Sequence, residues 1–210
     1  MTSLLRSLMV AAMVAGAALG ATPALAQDGS VSALYRESYR LEAASDAKGA
    51  LGKMREIRAK AGASYFVAMR SGWLAYLVGE FAAAEMAYAE AAGFAPKAVE
   101  ARLGLTLPLL AQKKWRELER ACREVLALDP HSGVGRTRLG AALYAIGNYP
   151  DAALVYRKLV EDYPAELDHQ TGLGWAMLRM GRRAEAKQVF AAVLAVSPDN
   201  VNAQQGMAAQ

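Results

Sequence analysis

A chain of 210 residues that is 54% hydrophobic and 21% charged has enough apolar side chains to bury a core, which excludes a disordered polymer. Its net charge of +4 comes from 24 basic and 20 acidic residues with the signs mixed along most of the chain, which argues against the concentrated basic stripe of a nucleic-acid binder. One cysteine, Cys122, excludes an intramolecular disulfide, so packing alone must hold the fold.

Residues 1–26 read as a targeting segment. Arg6 supplies a positive charge, residues 8–19 form an apolar run of 12, and Ala24-x-Ala26 is the small-x-small pattern that a signal peptidase accepts. The run is short for crossing a hydrocarbon layer, which takes about 20 residues. Cleavage after Ala26 and export to the periplasm are therefore expected, with no stable membrane insertion afterwards.

From residue 65 the chain repeats itself. Pro96, Pro130, Pro164 and Pro198 are each 34 residues apart, and aligning on them needs no gap. The units are 65–98, 99–132, 133–166 and 167–200. Position eight of each unit is Gly72, Thr106, Gly140 and Gly174; position twenty is Ala84, Leu118, Ala152 and Ala186. Position twenty-four is Tyr88, Cys122, Tyr156 and Phe190. The turns "VGEF", "IGNY" and "MGRR" carry Gly, which ends a helix at φ > 0, whereas "QKKW" in the second unit does not. Proline then stops the second helix of each pair. One such hairpin cannot bury its apolar face alone, so neighbours must stack. The pattern resembles the tetratricopeptide repeat family, whose signature is W-x₂-L-G-x₂-Y…A-x₃-F…P over 34 residues. The resemblance implies an all-α, right-handed α-solenoid of helix-turn-helix repeats.

Residues 27–64 precede the first clean unit. In phase, 31–64 place Ala50, Met54 and Ile57 at positions twenty, twenty-four and twenty-seven, with Gly62 where proline should stand. They form either a degenerate capping repeat or an unrelated helical hairpin. The second unit departs most from the pattern, at Thr106, Leu118 and Cys122. Its Pro108 lies inside the first helix, where its ring would clash with the carbonyl of Gly104, so a kink is expected that Gly104 absorbs. The last segment, 201–210, is a short cap, and a thinly covered end invites self-association or a partner.

Catalytic chemistry is not legible. His131 falls in a turn and His169 opens the fourth unit, and neither belongs to a metal-binding or nucleophile motif. No cofactor and no enzyme activity are expected. Cys122 occupies a core position and Trp115 a customary aromatic one. The basic stretch 113–123 interleaves Glu117 and Glu119, which reads as a solvated helix face.

The first helix of each unit carries a second stripe at positions five, nine and twelve, on one face because spacings of three and four share a face. A lone soluble helix would keep that stripe polar. Here it reads Met69, Trp73 and Tyr76, then Leu103, Leu107 and Leu110, then Thr137, Ala141 and Tyr144, then Thr171, Trp175 and Leu178. The resemblance implies that these positions line a concave partner-binding groove, flanked by Arg70, Arg138 and Arg179. The family's carboxylate clamp, with Asn at position nine, is absent, so capture of a C-terminal carboxylate is not expected. An apolar groove suits an amphipathic helix or an apolar segment. The expectation is a periplasmic adaptor holding a protein or peptide partner; the alternative is a structural protein whose groove and thin end drive homo-oligomerisation. In the other reading of the stripe, it packs internally.

Overall fold

The computed structural model describes residues 29–209; the expected signal peptide and its cleavage point lie outside the described residues. Among those described, eleven helices and no strand are found. They pair as α1 (Gly29–Ala43) with α2 (Ala47–Ala61), α3 (Tyr65–Val78) with α4 (Phe81–Phe94), and α5 (Val99–Ala111) with α6 (Trp115–Leu128). Next come α7 (Gly133–Ala145) with α8 (Tyr149–Asp162), α9 (Leu167–Arg179) with α10 (Arg183–Val196), and the single α11 (Val201–Ala208). Each helix packs on the next, and the first helices α3, α5, α7, α9 and α11 also touch one another in turn. The second helices do not pack on each other comparably, so the first helices form the inner layer of the curve. The architecture is an all-α repeat solenoid.

The turns follow the glycines. Gly79, Gly147 and Gly181 take φ of 87°, 86° and 78° between the paired helices. In the second unit Lys113 must do the same at φ 56°, a left-handed conformation that a side chain resists. Ser64, Ser132 and Asn200 cap α3, α7 and α11 by accepting from the backbone N–H three residues on. Ala98 and Glu166, at the same position before α5 and α9, make no side-chain cap. The caps thus recur every 68 residues, a doubled period.

The N-terminal pair stands in the same phase as the four units: Ala50, Met54 and Ile57 are fully buried in α2. The core forms two clusters. One runs from Val31 to Leu107 and the other from Leu109 to Ala203, so the boundary falls within α5. Pro108 sits at that boundary, buried, and α5 continues past it to Ala111 at the length of α7 and α9. Gly104 is explained otherwise than by Pro108: a Cβ there would run into the ring of Tyr88.

That contact belongs to a rule for how successive units join. Position twenty-four of one unit packs between position eight of its own first helix and position six of the next. Tyr88 lies between Gly72 and Gly104, Tyr156 between Gly140 and Gly172, and Phe190 between Gly174 and Gly206. A Cβ on Gly172 would stand 2.6 Å from Tyr156, and one on Gly174 would stand 2.7 Å from Phe190. The other two junctions use a different set at the same spacing. Ser38, Met54 and Arg70 join the N-terminal pair to the first unit, and Thr106, Cys122 and Arg138 join the second unit to the third. Where the residue at twenty-four is not an aromatic ring, a hydroxyl replaces one glycine and an arginine replaces the other. The space that a ring fills in one kind of junction is filled in the other by the flanking side chains, as close-packed interiors require.

Candidate inner-face binding surface

The inner stripe is not one open surface. Met69, Trp73 and Leu107 are buried, the last two with 5% and 4% of their surface exposed. The groove expectation is corrected at these three residues, because the first helices pack so closely inside the curve that their neighbours cover them. Tyr76, Leu103, Leu110, Tyr144, Trp175 and Leu178 are half-buried and keep part of their surface on this layer. Thr171 is buried as well, while Thr137 and Ala141 are half-buried. Trp73 stacks near Tyr76, with ring centroids 6.0 Å apart, and Tyr76 meets Phe81 at 5.9 Å.

Two of the three arginines expected to flank the groove lie inside it. Arg70 has 1% of its surface exposed. Its Nη1 donates to Glu42 Oε2 at 2.8 Å, its Nη2 to Ser38 Oγ at 2.9 Å, and its guanidinium lies 3.7 Å over the ring of Tyr39. Trp73 Nε1 donates to the other oxygen of Glu42 at 2.8 Å. One carboxylate on α1 therefore neutralises Arg70 and satisfies the buried indole N–H together. A buried cation needs such a partner, because desolvation without one costs several kcal/mol by order of magnitude.

Arg138 is held differently. Its Nη1 donates to the carbonyl of Leu103 at 3.0 Å and to Thr106 Oγ1. The groups that face it electrostatically are Cys122, Tyr76 and Tyr88, none of them a carboxylate, and burial pulls its guanidinium below the ordinary pKa. The Tyr88 hydroxyl is buried without a hydrogen-bond partner among the described residues, and burial raises its pKa. Arg179 does stand at the edge, exposed, with Nε donating to Tyr149 Oη at 3.2 Å, and Tyr149 meets Tyr144 edge-on at 5.4 Å.

The remaining candidates are structural. Cys122 is fully buried, and burial pushes its thiol up to about 12, which removes the nucleophilic thiolate at neutral pH. His169 Nε2 pairs with Thr137 Oγ1 at 3.0 Å, and burial lowers its pKa. Trp115 is half-buried against the C-terminal core. Arg116, Arg120 and Arg123 alternate with Glu119 and Glu124 along a shallow outer depression, with Arg123 pairing to Glu119 at 2.9 Å. Among the described residues no group of three His, Cys, Asp or Glu could hold a metal ion, and no helix is long and apolar enough to cross a membrane. Sequence reasoning picked out Arg70 and Arg138 but missed Glu42, Ser38 and Tyr39. Their signal was the doubled period, since residue 42 in the N-terminal pair corresponds to residue 110 in the second unit.

Residues 147–210 match the family described as tetratricopeptide repeat. This C-terminal stretch belongs to the tetratricopeptide repeat family. The chain's fold is similar to that of a tetratricopeptide repeat protein from Parabacteroides merdae, with a TM-score of 0.79 at 16% identity over 86% of this chain and 72% of that one. It is also similar to MamA from Desulfovibrio magneticus, at TM-score 0.77 and 17% identity over 83% of this chain and 98% of that one. YrrB, described as having an unusual peptide-binding site, superposes at TM-score 0.73 and 13% identity over 82% of this chain and 89% of it. No curated protein matches the sequence. In this repeat solenoid the half-buried residues of α5, α7 and α9 form the candidate binding surface, and Glu42 covers the inner face at the α1–α3 end.

Proposed function

We propose that the protein is an exported, periplasmic scaffold that binds a protein partner, rather than an enzyme, and that a partner segment docks on the inner layer of first helices in the second to fourth units. The observation that carries this reading is the half-buried apolar set Leu103, Leu110, Tyr144, Trp175 and Leu178 on consecutive inner helices. Such side chains gain by further covering, and aromatics gain most. YrrB, of the same fold, is described as having a peptide-binding site, which supports a peptide-sized occupant here. Export rests on residues 1–26 alone.

The test is capture from an envelope extract by the purified protein and by a Leu110→Glu variant, with circular dichroism to verify folding. A partner lost with the variant supports the inner face; the same captured set from both refutes it. Cell fractionation, with mass spectrometry of the N-terminus, checks export and cleavage before Gln27. A second reading is favoured by the far end, where Val196 and Val201 stay 71% and 61% exposed beside an eight-residue helix. Self-association through that end would appear in light scattering as a mass above the monomer, reduced by Val201→Lys.

A further inference from the structure

Arg70 and Arg138 occupy the same position of units 68 residues apart, so their surroundings can be compared residue by residue. Ser38 corresponds to Thr106, Met54 to Cys122 and Ser64 to Ser132. These pairs preserve the hydroxyl, the mid-sized buried side chain and the helix cap. The inner face is not preserved. Glu42 corresponds to Leu110, Tyr39 to Leu107 and Trp73 to Ala141. At the first arginine the chain itself supplies a carboxylate, a ring under the guanidinium and an indole donor to the same carboxylate. At the second, those three functions are replaced by two leucines and a methyl group. Arg138 spends Nη1 on Leu103 and Thr106 and has no carboxylate within salt-bridge distance among the described residues. The unpaired hydroxyl of Tyr88 lies within its electrostatic reach.

We infer that Arg138 is the selectivity point of the inner face, and that the docked partner segment presents a side-chain carboxylate to it, from an aspartate or glutamate flanked by aromatic or large aliphatic residues. The partner supplies to Arg138 what α1 and Trp73 supply at Arg70. Charge complementarity is the argument: a largely desolvated guanidinium gains more from a carboxylate than an exposed one does. Leu110 and Ala141, at the positions that Glu42 and Trp73 occupy in the first setting, offer an apolar seat for the flanking side chain. The inference rests on the inner face being the docking surface.

The probe is an array of synthetic peptides with acetylated N-termini and amidated C-termini, so that only side-chain carboxylates are offered. The purified protein is expected to retain peptides carrying Glu or Asp beside Trp, Tyr or Leu. Changing that Glu to Gln should weaken retention by about tenfold or more, the usual size of a charge-assisted hydrogen bond. The Arg138→Met variant should lose the acidic preference. Because Arg138 also fills a junction, a second variant, Thr106→Gly with Cys122→Tyr and Arg138→Gly, rebuilds this junction as the one at Gly140, Tyr156 and Gly172. It should fold, retain apolar peptides and show no acidic preference. Peptides bound equally well with Gln, or an acidic preference surviving in either variant, would overturn the inference and leave the inner-face reading standing. No retention of any peptide by the folded wild type would overturn both.

Discussion

The two kinds of junction solve one packing problem with different physics. Three junctions pack an aromatic ring between two glycines, and two pack a smaller side chain beside a hydroxyl and an arginine. A ring against glycine backbone gains by apolar burial and dispersion alone, is indifferent to solvent charge, and tolerates no added atom. An arginine junction buries a cation, so it depends on what stands opposite. At Arg70 that is Glu42, 2.8 Å away; at Arg138 it is a carbonyl and a hydroxyl. The comparison teaches that helical repeat units of one length can be joined by stiff apolar contacts or by polar ones, and that only the polar kind offers chemistry to a ligand.

The comparison can be broken most forcefully at the aromatic end. Phe190→Ala should cost about 3–5 kcal/mol in urea denaturation, because the ring is fully buried and leaves a cavity between two glycines. Cys122→Ala, at the same position of an arginine junction, should cost only about 1 kcal/mol, since one sulfur is lost. Equal costs would mean that the junction types do not differ. Next in size, Glu42→Ala should destabilise by about 2–3 kcal/mol by leaving Arg70 buried without its counter-charge. Adding Arg70→Met should restore part of that loss, which a double-mutant cycle would read. Gly172→Ala should cost about 1–3 kcal/mol, as its new Cβ would meet Tyr156 at 2.6 Å. The smallest effect runs the other way. Lys113→Gly should stabilise by about 0.5–1 kcal/mol, because only glycine takes φ 56° without steric cost, and a shift in thermal midpoint would show it.

A pH titration of stability sharpens the picture at His169. Its folded pKa is held below the ordinary 6.5 by burial, so the unfolded chain binds the proton more readily. Its contribution is complete above about pH 6.5 and is lost as the pH falls below that value.

The amino-acid sequence by itself determined the repeat. The prolines at 34-residue spacing, the glycine turns and the small residues at positions eight and twenty are local requirements of backbone geometry, and each helix appears where its unit places it. Burial of Cys122 was legible for the same reason, since a core position is written along the chain. The inner stripe was legible as a stripe but not as a surface. Whether Trp73 faces a partner or is covered depends on Glu42, thirty-one residues earlier and on another helix. Gly104 read as relief for Pro108, whereas the ring it accommodates belongs to Tyr88 on the preceding unit. Only the tertiary structure decided these points, because spacing along one helix reports which residues share a face, and burial depends on which neighbour that face meets.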